Sequence, residues 1–393
     1  MKIVQINDLC GVGSIGKISI SLSKLLSELG IENYIFYSDG YTDYDLAVKY
    51  ANKFYIKAQA LKSRIFGNYG FNSVFATRKL ILELKKIEPN VIHLHNLHGH
   101  NVNLDLLFKY IKENDIKVIW TFHDCWAMTG YCPHFTMINC SEWKTLCKDC
   151  VQRGTYSWFF DKSTELQKRK EKCFSGLNMT IVTPSQWMAS IVKESFLQEY
   201  PVKVINNGIN LEIFKHSESN FKKRYNCQNK FIILGVAFGW SERKGIDVFI
   251  ELSKQLPDEY QIVLVGTDDS VDKLLPSNII SIHRTSDQKE LAEIYSAADI
   301  FLNPTREDTF PTVNMESIAC GTPVLSFDIG GSSETILDEC GLVIKDFSIE
   351  EVKNNIYKIR ENLSQFKLKC KENRDLYDEN KRISGYYSIY KKS

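Results

Sequence analysis

The sequence predicts two doubly wound α/β domains in tandem. Short runs rich in branched and aromatic residues alternate with helix-period stretches. That alternation breaks once and then restarts. The 393 residues also exceed one ordinary domain.

In the first half, KIVQIN (2–7), NYIFYS (33–38), VIHLHN (91–96), KVIWTFH (117–123), MTIVTPS (179–185) and VKVINNG (202–208) read as strands, most of them ending in polar residues or glycine. Helical periodicity fills gaps such as Ile15 to Leu29 and Asn103 to Glu113. Strand–helix alternation of this kind builds a parallel sheet covered on both faces. The pattern stops after VINNGINLEIFKHSESN and resumes with FIILGVA (231–237), QIVLVG (261–266), IISIHR (279–284), IFLNPT (300–305) and PVLSF (323–327). The expected organisation is an N-terminal domain over 1–208 with a cysteine-rich insertion at 125–154, and a C-terminal domain over 209–370. A charged helix over 371–393 is expected to pack back on the first domain. Two such domains imply a cleft lined by the carboxyl ends of both sheets.

Composition narrows the function. The 49 Lys+Arg and 48 Asp+Glu residues nearly cancel, so there is no global basic field for nucleic acid. No run of 18 apolar residues occurs to span a bilayer. The opening MKIVQINDLCGVGSIG has no signal-peptide apolar region, and 11 cysteines fit a reducing compartment, so a cytoplasmic protein is expected. Between Lys53 and Lys86, Lys57, Lys62, Arg64, Arg78, Lys79 and Lys85 face a single acid, Glu83, with aromatic and aliphatic residues interleaved. Such a stretch serves either as a membrane-facing surface at the inner leaflet or as an ordinary solvated helix face.

The most informative stretch is Arg306 to Val324, REDTFPTVNMESIACGTPV, which follows one predicted strand and opens a helix. Free N–H groups at a helix start suit a phosphate. Asp308 lies in the loop and Glu316 eight positions later on the helix, and a carboxylate can accept two hydroxyls of a diol. In the first half, Cys10-Gly11-Val12-Gly13-Ser14-Ile15-Gly16 follows the first strand and lets backbone approach a phosphate or an acceptor. Its spacing departs from the strict dinucleotide fingerprint. His123 and Asp124 end the KVIWTF strand at the expected cleft mouth, while His93, His95, His98 and His100 cluster near an earlier strand end as packing groups of an acceptor pocket or as metal ligands. Cys132, Cys140, Cys147 and Cys150 have spacing that suits a structural zinc in an insertion too poor in aliphatics for its own core; scattered free thiols are the other reading.

The string EDTFPTVNMESIACGTPV resembles the donor-site signature of the family-4 retaining glycosyltransferases, which have the GT-B fold. VINNGINLEIF, GWSERKGIDVFIEL and DIGGSSETI resemble that family's hinge, lysine-glycine and glycine-glycine segments, and HLHNLHGHNVN with WTFHDCWAMTGYCPHF is similar to transferases of colanic-acid and polysaccharide assembly. The resemblance implies that Glu316 holds the ribose hydroxyls of a UDP- or GDP-sugar and that Asp308, or the adjacent Glu307, faces the transferred sugar. It further implies that Lys244, with Arg243 beside it, neutralises the diphosphate, and that backbone at Phe310, Pro311, Thr312 and Val313 meets sugar and phosphate. Gly16 would approach the donor and His123 would lie near its sugar. The implied activity is retaining hexosyl transfer to a saccharide or lipid-linked saccharide, with no catalytic metal. A soluble disaccharide synthase or phosphorylase-like enzyme of this fold, or a non-catalytic nucleotide-sugar-binding protein, is the alternative.

Overall fold

A computed structural model describes residues 1–337 and 339–391. The chain divides into two compact units, one of Met1–Asn206 together with the chain from Ile383 on, the other of Asn207–Arg382.

In the first unit, strands β1 (Lys2–Ile6), β2 (Glu32–Tyr37), β3 (Ala47–Lys49), β4 (Val91–Leu94), β5 (Lys117–Thr121), β6 (Met179–Thr183) and β7 (Val202–Val204) form a parallel sheet in the order β3-β2-β1-β4-β5-β6-β7. The central strands are buried on both faces, which explains their unbroken apolar character. Alternation sorts their side chains. Val4, Ile92, Val118 and Trp120 enter one core, packed with Leu80 and Leu84 of α3 (Val74–Ile87), Leu107 and Phe108 of α4 (Leu104–Glu113) and Leu166 of α5 (Ser163–Phe174). Ile3, Val91, Ile119 and Val182 enter the other, against Leu22 and Leu26 of α1 (Gly13–Glu28) and Tyr386 and Tyr390 of the last helix, Glu379–Lys391. Asn103 caps α4, its side chain accepting the Leu106 N–H at 3.0 Å. The helix α2 (Lys53–Phe66) precedes α3 and is capped by Asn52.

The second unit repeats the scheme. Strands β8 (Phe231–Val236), β9 (Tyr260–Val265), β10 (Ile279–Ile282), β11 (Ile300–Asn303), β12 (Val324–Phe327) and β13 (Gly341–Ile344) run in the order β10-β9-β8-β11-β12-β13, all pairs parallel. Ile232, Leu234 and Val263 lie in one core and Ile233, Ile262 and Leu264 in the other. The helices that carry the site are α6 (Ile246–Gln255), α7 (Gln288–Ala297) and α8 (Thr312–Ala319).

The unit boundary lies later in the tail than the expected 371. Tyr377 is buried in the second core, its hydroxyl donating to the Thr335 carbonyl at 2.9 Å, and the Ile209 N–H donates to the Tyr377 carbonyl at 2.8 Å. Residues 371–382 therefore belong to the second unit, and the chain joins the first at Ile383.

Candidate functional site

In the second unit the site begins where β8 ends. A short 3-10 turn, Glu242–Lys244, leads into α6 through Gly245, whose φ is +74°. A Cβ there would stand 2.4 Å from the Pro304 carbonyl, so only glycine fits. That close approach sets the turn against the loop after β11. The Arg306 N–H donates to the Arg243 carbonyl at 2.9 Å, and the Arg243 guanidinium donates to the Glu307 carbonyl at 3.4 Å. Lys244 Nζ reaches Asp308 Oδ2 at 2.9 Å. Glu307 is buried and Asp308 partly exposed, so of the two candidate acids Asp308 is the one that meets Lys244.

Pro311 caps α8 in extended conformation, and Thr312 and Val313 open the helix. A proline at that edge sacrifices no helical N–H, because the first N–H groups of a helix have no internal partner. Phe310 is buried in the unit's core and anchors the loop. Glu316 sits one turn into α8, and the fully buried Tyr295 of α7 donates its hydroxyl to Glu316 Oε2 at 3.2 Å. Burial and the nearby Glu316 carboxylate push the Tyr295 phenol well up, so it stays a donor. Asn314 is held by Asn303 and Thr335, both at 2.8 Å, which fixes the helix start against β11.

The first unit holds a second polar cluster at the carboxyl ends of β4 and β5. A small pocket there is lined by residues that include His95, His98, His123, Asp124 and Trp126. Alternation does place His93 and His95 on one face, with ring centroids 4.2 Å apart. His93 bonds the Tyr390 hydroxyl at 2.6 Å and Thr121 at 2.8 Å, and Thr121 bonds Tyr386 at 3.0 Å, so the last helix is tied to the sheet by polar contacts.

A directed chain fixes the protonation of His123. Gln5 Nε2 donates to the Ser19 carbonyl at 3.0 Å, which leaves Gln5 Oε1 to accept from His95 Nε2 at 3.0 Å. Burial holds His95 well below its usual pKa, so its ring is neutral and Nδ1 is an acceptor. His123 Nε2, 3.1 Å away, is then the donor, and the His123 ring carries its proton there. Burial also lowers His123 to about 4.

His98 Nε2 and Asp124 Oδ2 pair at 2.7 Å. Burial works to raise Asp124, but the charge and hydrogen bond of His98 override it and hold the acid at about 2. Asp8 lies beside this pair, and burial raises it to about 6. Sequence reasoning missed Asp8, whose side chain reaches Gly99 only through the fold, and missed the Trp126 Nε1–H, a buried donor with no hydrogen-bond partner among the described residues. An oxygen of an acceptor would satisfy that N–H. Gly16 is buried against the backbone of Cys10 and Gly11, so its smallness serves the packing of α1 on that loop.

Cys132, Cys140, Cys147 and Cys150 are drawn to one neighbourhood beside the first core. Burial, then the thiols of Cys147, Cys150 and Cys140, push Cys132 up to about 12. The Gly130 N–H donates to Cys147 Sγ at 3.3 Å, and the fully buried Lys170 donates to the carbonyls of Trp126 and Thr129 at 2.7 and 2.9 Å. Burial lowers Lys170 to about 7, while Cys147 and Cys132 work the other way and favour its charged form. The donor set fits zinc in kind. Among the described residues, no three of these sulfurs lie within 4.8 Å of one another, so binding would require their side chains to turn inward.

Residues 16–213 match the family model described as Glycosyltransferase Family 4, and residues 214–376 match Glycosyl transferases group 1. A glycosyl transferase named for colanic acid biosynthesis in Escherichia coli (strain K12) is 23% identical over 373 residues, covering 90% of this chain and 88% of its own. The N,N'-diacetylbacillosaminyl-diphospho-undecaprenol alpha-1,3-N-acetylgalactosaminyltransferase of Campylobacter jejuni is 29% identical over 220 residues, 51% of this chain and 57% of its own. Among solved structures, Anabaena HepE in complex with UDP superposes with a TM-score of 0.70 at 14% identity, covering 99% of both chains.

Proposed function

We propose a reaction from one premise: this chain belongs to glycosyltransferase family 4, and it moves a hexosyl group from a UDP- or GDP-sugar to a saccharide or lipid-linked saccharide in surface polysaccharide assembly. The observation that carries this reading is the ion pair of Lys244 with Asp308, 2.9 Å long, at the mouth of α8. It joins a cation, a carboxylate and the start of a helix in one place, with Glu316 one turn further on. The diphosphate would take the Lys244 ammonium and the N–H groups of Thr312 and Val313. Asp308, released from the lysine, would accept sugar hydroxyls, and Glu316, steadied by Tyr295, would accept the ribose hydroxyls. The colanic acid and undecaprenol-linked names of the relatives support the polysaccharide context and the lipid-linked acceptor, and HepE binding UDP supports a nucleotide donor.

The chemistry is front-face substitution with retention. The bond from the anomeric carbon to the leaving phosphate oxygen breaks as the acceptor oxygen bonds on the same face. The acceptor proton passes to that phosphate oxygen. The protein acts by orientation and by meeting the charge that develops on the diphosphate, so no free divalent cation is required. In the first unit, His123 would lie near the donor sugar with its proton on Nε2. The four cysteines would hold a structural zinc that stiffens the insertion.

Among the described residues, no helix is long and apolar enough to cross a membrane. The cations of 53–86 would instead rest on the membrane surface where a lipid-linked acceptor lies. A thermal-shift screen against UDP, GDP and their sugars in EDTA tests the reading. One nucleotide family should raise the melting temperature of the wild type and fail to do so for Lys244→Ala. Equal shifts in both proteins, or stabilisation only on adding Mg²⁺ or Mn²⁺, would contradict it.

A further inference from the structure

Three consecutive aromatic residues just after the cysteine-rich insertion face solvent. Trp158, Phe159 and Phe160 are 48%, 64% and 51% exposed, their rings in successive edge contacts about 6.5 and 6.4 Å apart. An unbroken exposed run of this kind marks a surface that something else covers.

The loop that carries them is tied down on every side. The Trp158 N–H donates to the Arg64 carbonyl of α2 at 2.7 Å, and the Phe160 N–H donates to Ser157 Oγ at 3.4 Å. The Phe160 carbonyl accepts from the Tyr131 hydroxyl at 3.4 Å, and that hydroxyl accepts the Lys162 N–H at 2.9 Å. Next in sequence, the Asp161 carboxylate accepts the N–H groups of Cys150 at 2.7 Å and Ser163 at 2.9 Å. The tip is therefore anchored at both ends, through the Trp158 N–H on one side and the Phe160 N–H and carbonyl on the other.

The neighbouring surface identifies the medium. The α2 sequence KFYIKAQALKSRIF contains no acid, and its exposed side chains include Lys53, Lys57, Lys62 and Arg64. Phe54 is 87% exposed on the same helix, with Leu61 and Phe66 also outward. Cations interleaved with outward apolar groups fit an anionic lipid interface. A second copy of this chain would bring the same cations face to face and be repelled.

We propose that Trp158, Phe159 and Phe160 form a wedge that inserts into the interfacial zone of an anionic lipid bilayer, while the cations of α2 rest on its headgroups. This deepens the membrane-surface reading above and rests on it. The wedge is also joined to the pocket. Tyr156 stacks on Tyr69 at 5.8 Å, and Tyr69 meets Trp126 edge-on at 5.7 Å and donates to the His98 carbonyl at 2.7 Å. A lipid-anchored acceptor beside the wedge would thus present its sugar near the groups that line that pocket.

The test is co-sedimentation of the full chain with vesicles of phosphatidylcholine mixed with phosphatidylglycerol, and with phosphatidylcholine alone. The wild type should bind the anionic vesicles more tightly, and less so as salt rises. Each aromatic removed should weaken binding on the order of tenfold. The Trp158→Ser/Phe159→Ser/Phe160→Ser triple variant should therefore bind on the order of a thousandfold more weakly, with melting and lipid-free donor hydrolysis unchanged. The blue shift of tryptophan emission on adding vesicles should vanish in Trp158→Ser. If the triple variant binds like wild type while Lys57→Glu/Lys62→Glu does not, α2 alone touches lipid and the wedge is refuted, the membrane reading surviving. If the wild type ignores both vesicles, both fall. Concentration-dependent self-association that the triple variant abolishes, without vesicle binding, would assign the tip to a second copy and overturn the proposal.

Discussion

At the scale of single residues, the buried charges make predictions that differ in sign. Asp8 has its pKa raised to about 6 by burial, against 3.8 for the free side chain. Between those values the unfolded chain has released its proton while the folded chain keeps it. Stability therefore falls as pH rises from 4 to 6 and stays lower above that, by on the order of 3 kcal/mol. Asp8→Asn removes this cost, so it should melt higher than wild type at pH 8 and about equally near pH 4. Melting curves across that range check it, and a variant that melts lower at pH 8 would show that Asp8 is held by contacts Asn cannot make. Asp124 runs the other way. Its pKa, held near 2 by His98 in spite of burial, gives stability that is present above 3.8 and lost as pH falls toward 2. These values are products of assembly. His98 and Asp124 are separated by 26 positions and Asp8 lies on another strand's loop, so sequence spacing carried no sign of their meeting. That Asp308 and Glu316 lie near one another could be read from the sequence because they share one loop and helix, where spacing is geometry.

At the scale of elements, strands and helices followed closely from pattern. Ile15 to Leu29 is helical over Gly13–Glu28, and the strand read as 2–7 ends at Ile6. Periodicity succeeds there because both faces of each central strand are covered. It fails in the insertion, where short 3-10 turns and side-chain ties replace repeats. Two elements can be tested directly. Gly245→Ala adds a Cβ at φ +74° against the Pro304 carbonyl. It should destabilise the second unit by about 1–3 kcal/mol and weaken nucleotide binding with it, as read by melting and by calorimetric titration. Unchanged melting would show that the turn relaxes freely. The insertion is tested by metal content. Protein purified without added metal should contain about one zinc per chain, and Cys147→Ser/Cys150→Ser should lose it and melt lower. Metal-free protein with unchanged melting would refute the zinc.

At the scale of the whole molecule, the two units share the order of six strands, the first adding a seventh at its edge, yet carry different side chains at their carboxyl ends. The second bears the lysine, the carboxylates and the helix start; the first bears the histidine pocket and the aromatic wedge. The division of labour expected of the GT-B fold follows from which side chains each sheet places at its carboxyl ends, and the hexosyl-transfer reading depends on the second unit first. Its most direct test is release of nucleoside diphosphate from a panel of UDP- and GDP-sugars in EDTA, wild type against Glu316→Gln. The variant keeps the shape of the side chain and its contact with Tyr295 but removes the charge that accepts the ribose diol. Loss of charged hydrogen bonds of on the order of 2–4 kcal/mol predicts a fall in kcat/KM of roughly thirtyfold to a thousandfold on the donor that wild type cleaves. Equal turnover by the two proteins, or no cleavage of any sugar nucleotide by wild type, would contradict the account.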